Sequence, residues 1–385
     1  MHIGFDISQT GASRAGCGFF AYAMLTGLLR SAPNHCYSLF PSFGDFYLDP
    51  WMPFQNPHPG KNVKYGPRHF SRAMAGMFWS DDALEQTLGR PDVIHANNFW
   101  CPLQLNVSRL IYTFYDMGFA VNPDWTTEMN RVGCFDGVFR ASLAADWIVA
   151  ISQASRKHYL NVFPHFPAER IRVISPCSRF ITPTAEGQYP KALDGITPGM
   201  FWLTVGTIEP RKNQLRLVEA YVRYLAAGGL SIPLVFVGGK GWLMDDFQKR
   251  LRIIGLDTQV KMLGYVSDDE LIWLYRHCFA NLYPSLFEGF GLPVLEGMQF
   301  GAPTLASRSS SIPEVVGDAG ILLDPEDVEA WTQAMLRLTT NRIERDTLSS
   351  LSKRQAERFD WKNGVALLLE LYQEAITTPK RRVIA

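Results

Sequence analysis

The stretch Tyr283–Gly301, YPSLFEGFGLPVLEGMQFG, decides the fold. An apolar strand-like run, Asn281–Tyr283, breaks at Glu288-Gly289-Phe290-Gly291, and Pro293 then stands at a first helical position, where its missing N–H costs nothing. Glycines before such a start let backbone approach a ligand, and the unpaired N–H groups from Leu292 onward, with the positive end of the helix dipole, suit an anion. Glu288 precedes the helix and Glu296 is placed on its first turn. Two carboxylates beside an anion site do not bind phosphate, so sugar and ribose hydroxyls are their expected ligands. For Glu296 alone, a favourable charge at a helix start is the simpler reading. A glycosidase carboxylate pair is a poor match, because such residues converge on one bond from separate loops.

Working outward, short β-rich runs alternate with helical-period segments: Phe201–Val205 with a helix from about Gln214, and Pro233–Val237 with a helix from about Leu243. Val260–Leu263, Ala302–Ala306 and Ile321–Leu323 continue the pattern. The first half repeats it near His2–Ile7, Val93–His95, Leu110–Phe114 and Trp147–Ile151. Alternation at this spacing predicts an α/β chain of two Rossmann-like, doubly wound domains whose carboxyl-end loops face a deep cleft. The expected divisions are residues 1–180, residues 199–360, and a final amphipathic helix, residues 361–385, packing back on the first domain. Ser175–Pro198, with four prolines, reads as the linker.

The other loops carry less. GTIEPRKN (Gly206–Asn213) puts Arg211 and Lys212 at a strand end, where adjacent cations neutralise a diphosphate. Gly238-Gly239-Lys240-Gly241-Trp242 and Gly264-Tyr265-Val266-Ser267 follow strands; each reads as a turn or as a nucleotide wall. Gly16-Cys17-Gly18 opens a helix but lacks the third glycine of a dinucleotide fingerprint. His95 and Tyr115-Asp116 sit at strand ends, with buried structural and substrate roles both open.

Composition narrows the classes. With 47% hydrophobic and 19% charged residues, the 385-residue chain is globular and long enough for two cores. A net charge of +0 gives no field for nucleic acid. The six scattered cysteines lack zinc spacing and read as buried free thiols in a reducing compartment. MHIGFDIS reads as a first strand rather than a signal peptide, and no apolar run reaches membrane-spanning length, so a cytoplasmic protein, soluble or peripheral to the inner face of the membrane, is expected. Arg68, His69 and Arg72 interleave with Phe70, Met74, Met77, Phe78 and Trp79; this reads first as a core helix and second as a helix docking on anionic lipid.

Taken together, VGTIEPRKN, VGGKGW, LGYVSDDEL, YPSLFEGFGLPVLEGMQFGAP and SSIPEVVGDAGILLDPED resemble the retaining glycosyltransferases of family four, also called group one, in the style of bacterial mannosyltransferases. AGCGFFAY, YTFYDMGF and IVAISQASR are looser counterparts, and the seven residues between Glu288 and Glu296 match the family's E-x7-E signature. The resemblance implies the GT-B fold and metal-independent, retaining transfer from a GDP- or UDP-linked sugar to a saccharide or lipid-linked saccharide, without a cofactor. It implies that Lys212 and Arg211 hold the donor diphosphate, Glu288 the transferred sugar and Glu296 the ribose. Gly289, Phe290, Gly291, Leu292, Gly206 and Gly238 would line the donor, Tyr265 and Val266 would contact the base, and Gly16, Gly18 and His95 would lie on the phosphate and acceptor side. The family commonly has His-Asp where this chain has Tyr115-Asp116; a cationic role there is excluded, while Tyr115 as a hydrogen-bond donor and Asp116 as a base stay catalytic candidates. A nucleotide-sugar epimerase and a non-catalytic subunit that keeps the fold are the alternatives.

Overall fold

The computed structural model describes residues 1–11, 14–41, 60–66, 72–103, 105–180, 186–239, 241, 247–253, 255–256 and 258–381, without the side chains of 72, 75 and 248. Lys240 and Trp242, the predicted start of a helix near Leu243, and Arg68, His69 and Phe70 lie outside these residues.

The chain divides into two compact units: Met1–Ala120 with Glu128–Cys177 and Asp360–Ala385, and Val121–Thr127 with Ser178–Phe359. The first unit holds β1 (His2–Asp6), β2 (Cys36–Phe40), β3 (Val63–Tyr65), β4 (Val93–Ala96), β5 (Arg109–Phe114), β6 (Trp147–Ala150) and β7 (Ile171–Val173). They form one parallel sheet in the order β3-β2-β1-β4-β5-β6-β7. The second unit holds β8 (Trp202–Val205), β9 (Leu234–Val237), β10 (Val260–Met262), β11 (Ala280–Tyr283), β12 (Thr304–Ser307) and β13 (Ile321–Leu323), ordered β10-β9-β8-β11-β12-β13. All of its pairings are parallel too.

Helices cover parallel sheets on both faces, so their central strands are apolar without alternation. That is why β4, β6, β8, β9, β11 and β12 are buried at every position. Strand order reverses direction between β1 and β4 in the first unit and between β8 and β11 in the second. Such switch points open a crevice at the carboxyl ends of the strands.

The last helix, Trp361–Thr377, packs on the helix Gly16–Ser31 within the first unit. The contact is close enough that a Cβ on Gly27 would lie 2.3 Å from Val365. Phe78 and Trp79 join the core of the first unit, whereas Met74 and Met77 are exposed. No helix among the described residues is long and apolar enough to cross a membrane. Of the six free cysteines four are buried, but Cys36 is exposed and Cys17 half-buried, which corrects the expectation of uniformly buried thiols. The described part of the proline-rich stretch, 175–180 and 186–198, is not a loose tether. From Ser178 it belongs to the second unit, where Leu193 is buried and Tyr189 packs edge-on against Trp273.

Candidate functional site

The loops after β8 and β11, neighbours across the switch point of the second sheet, bring the predicted charges together. After β8 the chain turns through Gly206 into a single turn, Pro210–Lys212, and the left-handed Asn213 (φ 60°) starts the helix Gln214–Ala226. Asn213 Nδ2 donates to the carbonyls of Pro284 and Pro325, pinning this turn to the loops after β11 and β13. The register is tightened by the Leu286 amide, which donates 2.8 Å to the Arg211 carbonyl.

Glu288 is the hub. Its Oε1 accepts from Lys212 Nζ at 2.6 Å, Ser285 Oγ at 2.5 Å and the Tyr283 hydroxyl at 3.0 Å, and its Oε2 accepts from Arg211 Nη1 at 3.0 Å. Arg211 also donates through Nη1 to the Phe287 carbonyl and through Nη2 to buried Glu209, each at 2.7 Å, and Lys212 donates to the Tyr283 hydroxyl at 2.8 Å. Two cations thus face two carboxylates at the strand ends. Burial pushes the Glu288 carboxyl up, but the Lys212 ammonium and the Arg211 guanidinium outweigh it and hold the group at about 2. The Ser310 and Ser311 hydroxyls donate to the Glu288 carbonyl at 2.5 and 2.9 Å, and Ser311 also donates to that of Phe290 at 3.0 Å, fixing the loop shape.

That loop enters the helix Leu292–Gln299 through Gly291, whose φ of 106° is open to glycine and strained for any side chain. Among the described residues no side chain caps this helix; Pro293 has no N–H and the Val294 amide turns back to the Gly291 carbonyl at 3.0 Å, so the Leu292 amide is what this start offers to an acceptor from outside. Glu296 lies on the second turn rather than the first, because helical geometry begins at Leu292. It is buried too far along to serve as a charge at the helix start. Its Oε2 accepts from the Tyr275 hydroxyl at 3.2 Å, and Arg179 Nε lies 3.2 Å from its Oε1. Burial pushes this carboxyl up to about 7, against the pull of Arg179.

The nearby loops are less engaged. Gly206 and Gly238 sit at the ends of β8 and β9, where the Gly238 amide donates to the Gly264 carbonyl. Tyr265 is exposed and Val266 half-buried.

The remaining candidates belong to the first unit. Gly16 opens its helix, and Gly18 lacks a side chain for a local reason: a Cβ there would sit 2.1 Å from the Gln9 carbonyl. His95 is wholly buried, with Nδ1 against the Tyr372 hydroxyl (2.5 Å) and Nε2 against Thr113 Oγ1 (2.8 Å), and burial lowers its pKa to about 3. Of the two roles open to it, the surroundings are those of a neutral, enclosed ring. Tyr115 donates to the carbonyls of Asn97 (3.1 Å) and Cys17 (3.3 Å), and Asp116 Oδ1 accepts from the Gly118 amide at 2.8 Å.

The sequence reading missed Glu209, Tyr283, Ser285, Tyr275 and Arg179. The first three stand inside the quoted motifs, but only the folded loops show that they converge on Glu288 and Arg211. Tyr275 and Arg179 come from segments that carry no motif.

The two buried carboxylates give stability opposite pH slopes. Glu288 has a lowered pKa, so its contribution is full above 4.5 and is lost as pH falls toward about 2, a change of roughly 3 kcal/mol. Glu296 has a raised pKa, so stability declines as pH climbs from 4.5 to about 7; Asp6, raised by burial to about 6, adds to that decline above 3.8. Melting curves across pH should show Glu288→Gln flattening the acid limb and Glu296→Gln flattening the upper one. Unchanged profiles would contradict both assignments.

The chain was compared with known proteins. Residues 197–358 match the family Glycosyl transferases group 1, and residues 35–177 match Glycosyltransferase Family 4. The O-antigen chain mannosyltransferase B of Escherichia coli is 32% identical over 290 residues, covering 73% of this chain and 74% of that protein. The serotype-specific mannosyltransferase WbdA of Escherichia coli is 31% identical over 61% of this chain, but the match spans 30% of WbdA. Among solved structures, sucrose-phosphate synthase from Thermosynechococcus elongatus superposes with a TM-score of 0.73 at 18% identity, over 97% of this chain and 98% of that one. Anabaena HepE, solved with UDP and glucose, gives 0.69 at 19% identity, over 97% and 100%. These two likenesses establish the GT-B fold class.

Proposed function

The chain belongs to the group 1, family 4 glycosyltransferases, and on that premise we propose that it moves a mannosyl group from a GDP-linked donor to a saccharide or lipid-linked saccharide acceptor. Transfer retains the anomeric configuration and needs no divalent metal. The carrying observation is the convergence of Lys212 and Arg211 on Glu288 beside an uncapped helix start at a sheet's switch point. Mannose is supported by the names of the Escherichia coli relatives, which also favour bacterial surface polysaccharide as the product.

In this reading the bond between the sugar's anomeric carbon and the donor phosphate oxygen breaks as the acceptor oxygen bonds to the same face of that carbon. The acceptor proton passes to the departing phosphate oxygen. Preorganised positive charge is worth most where negative charge grows, here on the leaving diphosphate. Lys212, Arg211 and the Leu292 amide supply it, and fixed cations at that position support transfer without a metal. Glu288, held ionised, sits where it can accept sugar hydroxyls and balance charge on the developing oxocarbenium centre.

Incubation with GDP-mannose, UDP-glucose and UDP-galactose, each with EDTA and a mannan-type oligosaccharide acceptor, tests this. The expected product is an α-mannoside formed from GDP-mannose at a rate EDTA does not change. Transfer only from a UDP-sugar would overturn the donor, a β-linkage the retention, and loss of rate with EDTA the metal independence.

A further inference from the structure

Arg179 enters the second unit just past the unit boundary, on a segment with no sequence motif. Its guanidinium stands between two carboxylates, with Nε 3.2 Å from Glu296 and Nη1 3.5 Å from Asp268, and its own neighbour Phe180 lies beneath it, 4.9 Å away. The segment is anchored there: Gln299, at the end of the Glu296 helix, donates 2.6 Å to the Phe180 carbonyl, and the Phe180 ring packs edge-on against Phe300. Among the described residues, the buried Glu296 carboxylate therefore meets the cation Arg179 and the phenol of Tyr275.

We propose that Arg179 is a positioning residue that keeps the Glu296 carboxylate ionised and aimed, so that Glu296 can accept hydrogen bonds from the two vicinal hydroxyls of the donor's ribose. This rests on the donor reading above. A carboxylic acid would present one oxygen as a donor and lose half of its accepting capacity, whereas a carboxylate accepts from both hydroxyls of a diol. Burial works against the charged form, and Arg179 is the opposing charge. The other charge acting on Glu296 is Asp268, which raises the cost of ionisation and is itself balanced by Arg179. Lys353, from the neighbouring helix Arg342–Ala356, approaches Gly301 beyond the far end of the Glu296 helix, and Glu314 on the helix Ile312–Val316 is exposed.

The test measures affinity for GDP and for 2′,3′-dideoxy-GDP, with the UDP pair in parallel, across pH 6 to 9. Wild type should prefer the ribonucleotide by on the order of tenfold at high pH, with the preference fading as pH falls through about 7. Arg179→Met should move that fade upward by about one pH unit or more and recover the preference at pH 9, while Arg179→Lys should stay close to wild type. A preference in Arg179→Met with the wild-type midpoint would overturn the proposal. So would a preference lost equally at every pH, because that marks structural damage rather than a change in ionisation. Binding of neither pair to wild type, or equal binding of ribo and dideoxy forms, would instead remove the donor reading and the proposal with it.

Discussion

Lys212→Ala is expected to lower turnover by about 10²–10³-fold, or roughly 3–4 kcal/mol of transition-state stabilisation, while leaving the second unit folded. The lysine is half-buried and, among the described residues, its ammonium reaches Glu288 and the Tyr283 hydroxyl, so its removal leaves one carboxylate still paired with Arg211. The loss should fall mainly on kcat, because charge on the diphosphate grows as the sugar departs. Steady-state kinetics against the donor, with a melting curve as control, gives the answer. Near-normal kcat in a folded variant would mean that Lys212 does not meet the leaving group.

Glu288→Gln should separate binding from catalysis. Glu288 and Glu209 balance Lys212 and Arg211, so an incoming diphosphate competes with Glu288 for both cations. Removing that charge while keeping the side chain's shape should tighten nucleoside diphosphate binding by on the order of tenfold. Transfer should fall by at least about 10²-fold, since the sugar-side carboxylate is gone. The variant should also lose stability, because two half-buried cations lose a partner; breaking a fully buried pair typically costs about 3–5 kcal/mol, here reduced by exposure and by the Arg211–Glu209 pair, and bound nucleotide should restore part of it. Calorimetric titration and single-turnover transfer read the two effects. Weaker nucleotide binding in Glu288→Gln would contradict the proposed competition.

The strands legible in the sequence were those whose four or five apolar residues are buried on both faces, such as Leu234–Val237 and Trp147–Ala150. Those not read were β2, β3 and β7. Val63–Tyr65 and Ile171–Val173 are three-residue edge strands with a basic residue at the centre, which shortens the apolar run; Val260–Met262 has the same form but was legible through Leu263 and the Gly264 turn that follow it. Cys36–Phe40 begins with an exposed cysteine and pairs inside the sheet only because the long helix before it returns the chain beside β1. At the site, Lys212, Arg211 and Glu288 were visible because each stands between a strand and a helix, and Glu296 because it follows Glu288 at the spacing of the E-x7-E signature, on the helix Leu292–Gln299. Which carboxylate neutralises which cation was not, because Glu209 reads like any acidic residue before a proline and Arg179 meets Glu296 only through folding. The helical phase of Glu296 also depended on where Gly291 hands over to Leu292, a boundary set by one backbone angle.

The central claim is that the second unit holds the diphosphate of a nucleotide-sugar on Lys212 and Arg211. The most direct test is a thermal-shift titration with GDP, UDP and ADP, in EDTA, on wild type and Lys212→Ala. A ligand at about 100 times its dissociation constant stabilises by roughly 2.7 kcal/mol, a readable shift. The account predicts that GDP raises the melting temperature of wild type and leaves Lys212→Ala nearly unmoved. No shift with any of the three, or equal shifts in both proteins, would contradict it.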